Sequence, residues 1–407
     1  MIKEEMKKIW RPGILLILLL LGFVFNYMFM DFYIAHFPNG PYAEGVFQTA
    51  KEWVLEYGTS LEPEEEAEIV NVRLPALYAE ADSFVAQNEL CRRHGLTTYA
   101  DFETFYEKNA LEVQGNLTEE QQTLYADAQR ILNYLQGEEA NNIEGRIQAV
   151  QNSIERYEQW QADSANILSG VDEQDKSYAR AKAAFLGQDA AWRNILPHEI
   201  PEATSTYFAF LLVWMALSNC LLLSPLLVRD RMRGMRALQW SSRRGRKILN
   251  AQFAAVMLSA FLLTTLNLLI FGGLFASNGT SLFAACRMFS FMDTMVSWVN
   301  WTYGTWCIVL FALCYLAGLG IAALAFFLSQ YSANYVAMLL KVIPLFVAAA
   351  MLGYHLILYA FYYGNRLSRI TGIPGVEAIL AAFIFLLGLA LCFGACVRQK
   401  RQDLLEL

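Results

Sequence analysis

The chain has 407 residues, of which 56% are hydrophobic and 17% charged, against about 25% charged in soluble domains. That balance excludes an ordinary soluble globular protein and predicts an all-α membrane protein. The formal charge of −7 conceals a split: residues 38–203 hold thirty Asp/Glu against twelve Lys/Arg, a net −18, which leaves the other 241 residues at +11.

An apolar helix needs roughly 20 residues to cross about 30 Å of hydrocarbon. Six stretches meet that length, at about 13–35, 205–228, 250–276, 303–328, 334–362 and 376–397. The first follows Lys3, Lys7, Lys8 and Arg11. Its apolar body is too long for a signal peptide and no small-x-small cleavage site follows, so it reads as an uncleaved signal anchor. Three regions result: 1–36 with the first span, 37–203 as a charged domain outside the membrane, and 204–407 as a five-span domain.

The 37–203 domain reads as helical. Helices are expected at about 43–57, 63–90 and 99–114. Pro63 followed by Glu64, Glu65 and Glu66 suits a helix start, where negative charge meets the positive end of the dipole. Pro75 is expected to kink or break the second helix. Tyr99, Phe102, Phe105 and Tyr106 recur at helical spacing and are expected in a core. Two heptad-like stripes follow: Leu117, Leu124, Ala128, Ile131, Leu135, and Ile143, Ile147, Val150, Ile154, Tyr157. Gly137 and Asn141-Asn142 punctuate the join, and Thr118 with Gln121 resembles a capping box. The expected structure is an antiparallel coiled-coil hairpin, about 118–136 and 142–168. The many carboxylates are spread along helices with no D-x-D-x-D-G loop, which reads as a solvated face rather than a calcium site.

Between the second and third spans lies the densest basic run, Arg229 to Lys247, with eight Lys/Arg and only Asp230 acidic. Short positive loops stay in the cytoplasm. With both termini inside, the inner segments hold fifteen Lys/Arg and the short outer loops three, namely Arg287, Arg366 and Arg369. This predicts a multi-pass protein of the cytoplasmic membrane with 37–203 outside. Lys341, early in the fifth span, is expected to snorkel to the inner face.

Chemistry-bearing motifs are scarce. No H-x-x-x-H, H-E-x-x-H, G-x-S-x-G or G-x-x-x-x-G-K-[ST] pattern occurs, so no catalytic residue, metal or cofactor is expected, and no nucleic-acid partner. Asp31, Lys341 and Glu377 fall near span ends. His355 is the one ionisable residue expected near mid-span, which makes it a pathway candidate, although a helix-packing hydrogen bond accounts for it too. Five of seven cysteines lie in apolar runs; Cys91 and Cys286 could pair or stay as thiols.

Positive-inside anchoring and lipid-headgroup contacts account for a basic run without further function. This one also has a pattern. Met232, Met235 and Leu238 fall on one helical face, and Arg229, Arg233 and Arg236 on another, as in a short amphipathic helix suited to a groove on a cytosolic partner.

With Arg229-Asp230-Arg231, Gly234, Leu238, Arg246 and Lys247 before the third span, and an amphipathic Met1–Trp10 before the first, the membrane part resembles the permeases of type-2 ABC transporters. It is similar to the branch with a large first external loop. The family usually has Glu where this chain has Asp230. The resemblance implies a separate ABC ATPase subunit, docked on 229–247 as a coupling loop. It also implies a homodimer or heterodimer of permeases, and export of a peptide, antibiotic or lipid-like substrate. A reading from another class is a structural component of a secretion apparatus, or a receptor-type scaffold, whose external helical domain is the working part.

Overall fold

The computed structural model describes residues 1–59, 61–111, 118–163, 196–235, 248–291 and 297–401. Among these residues the chain is helical, with isolated bridges but no strand. Six helical stretches are long and apolar enough to cross a membrane: Pro12–Met30, Glu199–Met232, Ile248–Ala276, Tyr303–Gln330, Tyr335–Ile357 and Val376–Arg398. They are numbered spans 1 to 6.

Helix α1 (Ile2–Ile9) precedes α2 (Pro12–Phe25), which begins on a proline and runs on through a π turn to complete span 1. Span 2 consists of α9 (Glu199–Leu223) and α10 (Pro225–Met232). Pro225 has no N–H to offer, and the Ser224 hydroxyl donates to the Cys220 carbonyl at 2.6 Å beside the break. Spans 3 to 5 are α11 (Ile248–Ala276), α12 (Tyr303–Gln330) and α13 (Tyr335–Ile357). A short α14 (Arg366–Thr371) leads to α15 (Val376–Arg401), which carries span 6.

Span 2 is the hub. It is largely buried, whereas spans 1 and 5 are mostly exposed, and it packs on spans 3, 4 and 5. Trp214 donates to Asn267 at 3.1 Å, and Asn267 to Ser218 at 3.2 Å, which stitches spans 2 and 3 inside the bundle. Such bonds hold helices where lipid supplies no hydrophobic drive. Spans 4 and 6 approach most closely through small residues. A Cβ on Gly320 would lie 2.8 Å from the Phe385 nitrogen, and one on Gly388 2.9 Å from the Ala323 Cβ. Spans 1 and 5 expose Leu19, Phe23, Leu340 and Met351, as lipid-facing helices do.

The domain between spans 1 and 2 contains α3 (Pro41–Tyr57), α4 (Pro63–Glu68), α5 (Leu74–Gln87), α6 (Tyr99–Tyr106), α7 (Glu119–Leu135) and α8 (Ile143–Asp163). The expected capping box of Thr118 and Gln121 forms, and α4 starts at Pro63. Tyr99 and Phe102 are buried in the domain core. Pro75 does not break its helix. The chain widens into a π turn over Ile69–Arg73 and resumes the α form at Leu74, so the missing N–H is absorbed by a change of pitch.

The two stripes do not pair along their length as a coiled coil among the described residues; Leu117 and the expected helix end at 164–168 lie outside them. The α8 helix lies mainly along α3 and α5. A glycine pair causes this: a Cβ on Gly45 would meet the Gly145 carbonyl carbon at 2.7 Å, so α3 and α8 touch backbone to backbone. Ile143 and Ile147 join a core with Ile131, Leu135, Val85 and Phe102, while Val150 packs with Trp53 and Ile69. A heptad stripe also suits a multi-helix core, and spacing alone cannot name the partner.

The domain is seated on the bundle. Phe37 contacts Phe47 and Phe275 with ring centroids at 4.9 and 5.6 Å, and Phe47 reaches Phe283. Cys91 and Cys286 are free and buried in separate cores. Burial pushes each thiol up to about 11, which leaves both unreactive near neutral pH.

Candidate functional site at the amino-terminal end of the bundle

Arg229, Asp230 and Arg231 end span 2, and each is tied in a different direction. The Arg229 guanidinium donates to the Lys8 carbonyl of α1 at 2.7 Å. Asp230 accepts from Lys8 at 3.1 Å and from Gln252 of span 3 at 3.0 Å. Arg231 donates to the carbonyls of Gln330 and Ser332, at the turn between spans 4 and 5.

Glu5 completes the cluster. Lys8 Nζ donates to it at 2.8 Å, and Gln252 Nε2 donates to it at 3.2 Å. Two carboxylates therefore share the same two donors. Glu5, Arg229, Asp230 and Gln252 are all buried, and buried charge requires such pairing. Burial opposes the charge on Lys8, but the hydrogen bonds it donates to Glu5 and Asp230 outweigh it and raise its pKa. The α1 helix is also pinned by Trp10, whose indole donates to Ser259 at 3.0 Å.

Immediately beyond the anchor the chain turns outward. Helix α10 stops at Met232. Gly234 takes a φ of +67° and donates to the Arg231 carbonyl at 3.0 Å, a left-handed ending natural to glycine. Met232 is 56% exposed and Met235 40%, with Arg233 exposed between them.

The structure thus divides the residues that sequence grouped together. Arg229 and Asp230 belong to a buried anchor, and Arg229 does not sit on an exposed cationic stripe. Met232, Arg233 and Met235 form an exposed tip, but the break at Gly234 keeps the two methionines off one continuous helix. Arg236, Leu238, Arg246 and Lys247 lie outside the described residues. His355 stands in the last turn of α13, because that helix ends at Ile357 rather than near 362. Its ring packs edge-on to Tyr354 and its carbonyl accepts from Asn365. Lys341 reaches the Tyr331 carbonyl at 2.6 Å, at the same end of the bundle as Arg231.

Glu5, Lys8 and Gln252 were missed as members of the site. Gln252 carried a readable signal, as an isolated polar residue early in an apolar span. Glu5 and Lys8 are spaced i,i+3 on α1 and carried none that singled them out.

No family model, curated protein or solved structure matches the chain.

Proposed function

We propose that the chain is the permease subunit of an ATP-driven ABC exporter, working with a separate ATPase that docks at the end of span 2. One observation carries this reading: a rigidly anchored helix end that presents exposed apolar side chains. Arg229, Asp230 and Arg231 tie span 2 to α1, span 3 and the turn between spans 4 and 5. Met232 and Met235 project beyond them. A force applied to the tip would reach four elements at once, which is what coupling to ATP hydrolysis requires. Solvent-exposed methionines also suit a docking groove, being flexible and apolar.

The excess of Lys/Arg near this end supports a cytoplasmic tip, with the acidic domain outside. The absence of a phosphate-binding loop in the sequence fits a subunit that borrows its ATPase. Two such permeases, identical or not, would enclose the pathway. The cargo would be a peptide, an antibiotic or a lipid-like molecule.

Purification of the full chain from native membranes in mild detergent tests the reading. A co-purifying protein with a G-x-x-x-x-G-K-[ST] motif is expected, and its absence in mild detergent would count against the permease reading. Sidedness is tested separately. A Glu139→Cys chain should react with an impermeant maleimide added outside intact cells, and an Arg233→Cys chain should not. The reverse pattern would invert the topology.

A further inference from the structure

The domain between spans 1 and 2 carries a cleft of about 410 Å³ between α3, the α4–α5 segment and α8. That volume falls within the roughly 300–1,000 Å³ typical of small-molecule sites. Its position follows from Pro75. The π turn before that proline widens the helix at Ile69–Arg73 and sets Val72 and Arg73 at the cleft's edge. Local π turns of this kind recur at functional sites.

The floor is apolar and the rim is charged. Trp53 and Val150 are buried beneath it, with Leu77 beside them. Glu52, Glu68 and Glu80 line the rim with Arg73 and Arg146. Both arginines are already engaged. Arg146 pairs with Glu80 at 3.3 Å. Arg73 pairs with Glu56, lies 3.6 Å from Glu68, and stacks over the Tyr57 ring at 5.6 Å. Glu52 is exposed and has no basic partner among the described residues. The rim therefore keeps a surplus of carboxylate above an aromatic and aliphatic floor, in a segment of net charge −18.

We propose that this cleft binds amphipathic organic cations, with an apolar body against Trp53, Leu77 and Val150 and an ammonium group at the Glu52 and Glu68 rim. Anions of the same shape are repelled by the rim. Nothing in this chemistry depends on an ATPase partner.

The test uses the full chain in lipid nanodiscs and dansylcadaverine, an aromatic ring on a primary alkylammonium, with empty nanodiscs as the blank. Saturable binding above the blank is expected. Dansylglycine, its anionic counterpart, should bind at least about tenfold more weakly. The Glu52→Gln, Glu68→Gln double variant should weaken dansylcadaverine about fivefold, the scale of two exposed charge contacts. Ala76→Trp fills the cleft from an exposed position and should abolish saturable binding with the helical circular dichroism unchanged. The proposal is overturned if the native chain shows no saturable binding, if dansylglycine binds as tightly, or if these variants bind like the native chain.

Discussion

Lys8 and Asp230, 222 residues apart in the chain, meet at 3.1 Å beneath the end of span 2. This contact turns α1 from a separate interfacial helix into part of the bundle's end. It makes the segment before span 1 and the end of span 2 one mechanical unit.

Removing Lys8 should loosen that unit. Lys8→Met leaves Glu5 and Asp230 with Gln252 as their shared donor and two buried carboxylates facing each other. Because Lys8 is partly exposed, the cost should be about 1–2 kcal/mol rather than the larger value of a fully buried pair. Lys8→Met combined with Asp230→Asn should cost less than the sum of the two single changes, as thermal unfolding in detergent would report. The raised pKa of Lys8 gives the sign of the pH effect. Its contribution is complete below the unfolded lysine value of about 10.4 and is lost as pH rises through the folded value.

Glu144 should impose a pH dependence of the same sign on the other domain, in a lower pH range. It is buried and accepts from the Tyr99 hydroxyl. Burial raises its pKa, and hydrogen bonds from Tyr99 and Gln148 offset part of the rise. The folded state then holds its proton to higher pH than the unfolded chain, where glutamate titrates near 4.3. Stability should fall as pH rises from that value through the folded pKa, then level off. Glu144→Gln should flatten the slope and leave the melting temperature at pH 7 equal or higher. A melt series from pH 4 to 8 measures both.

The contact of spans 4 and 6 should tolerate no side chain at its centre. A Cβ on Gly320 meets backbone at 2.8 Å, which cannot swing away as a side-chain tip can. Gly320→Ala should cost about 1–3 kcal/mol through overpacking. Gly394→Ala, with nothing within 4 Å of its Cβ, should be stable or slightly stabilised by its better helix propensity. Parallel detergent melts distinguish the two.

The six spans were legible in the sequence because an apolar run of about twenty residues matches the thickness of a bilayer and little else. Their ends were less so. The helix of span 2 extends back to Glu199 and on to Met232 through residues too polar to count as apolar. The stripe Ile143–Ile147–Val150 was readable as buried, but its partner was not. That choice was made by Gly45 and Gly145, whose value lies in missing side chains rather than in any pattern. At the candidate site, composition marked the basic run but could not separate buried Arg229 from exposed Arg233. Burial there depends on Glu5, Lys8 and Gln252 arriving from distant segments. Gly234 interrupts the helix there, whereas the face formed by Met232, Met235 and Leu238 suggested continuity.

Site-specific photocrosslinking from the exposed tip tests the central claim most directly. A photoreactive residue is placed at Met232 or Met235 in the full chain and irradiated in intact cells, with Tyr125, exposed on α7, as the control position. Crosslinks from 232 and 235 to a nucleotide-binding ATPase, and none from 125, are the predicted result. Met232→Ala with Met235→Ala should weaken co-purification of that ATPase at least about tenfold, since burying a methionine contributes about 1.5–3 kcal/mol. Crosslinks from 232 and 235 to lipid alone, with no ATPase captured, would contradict the account.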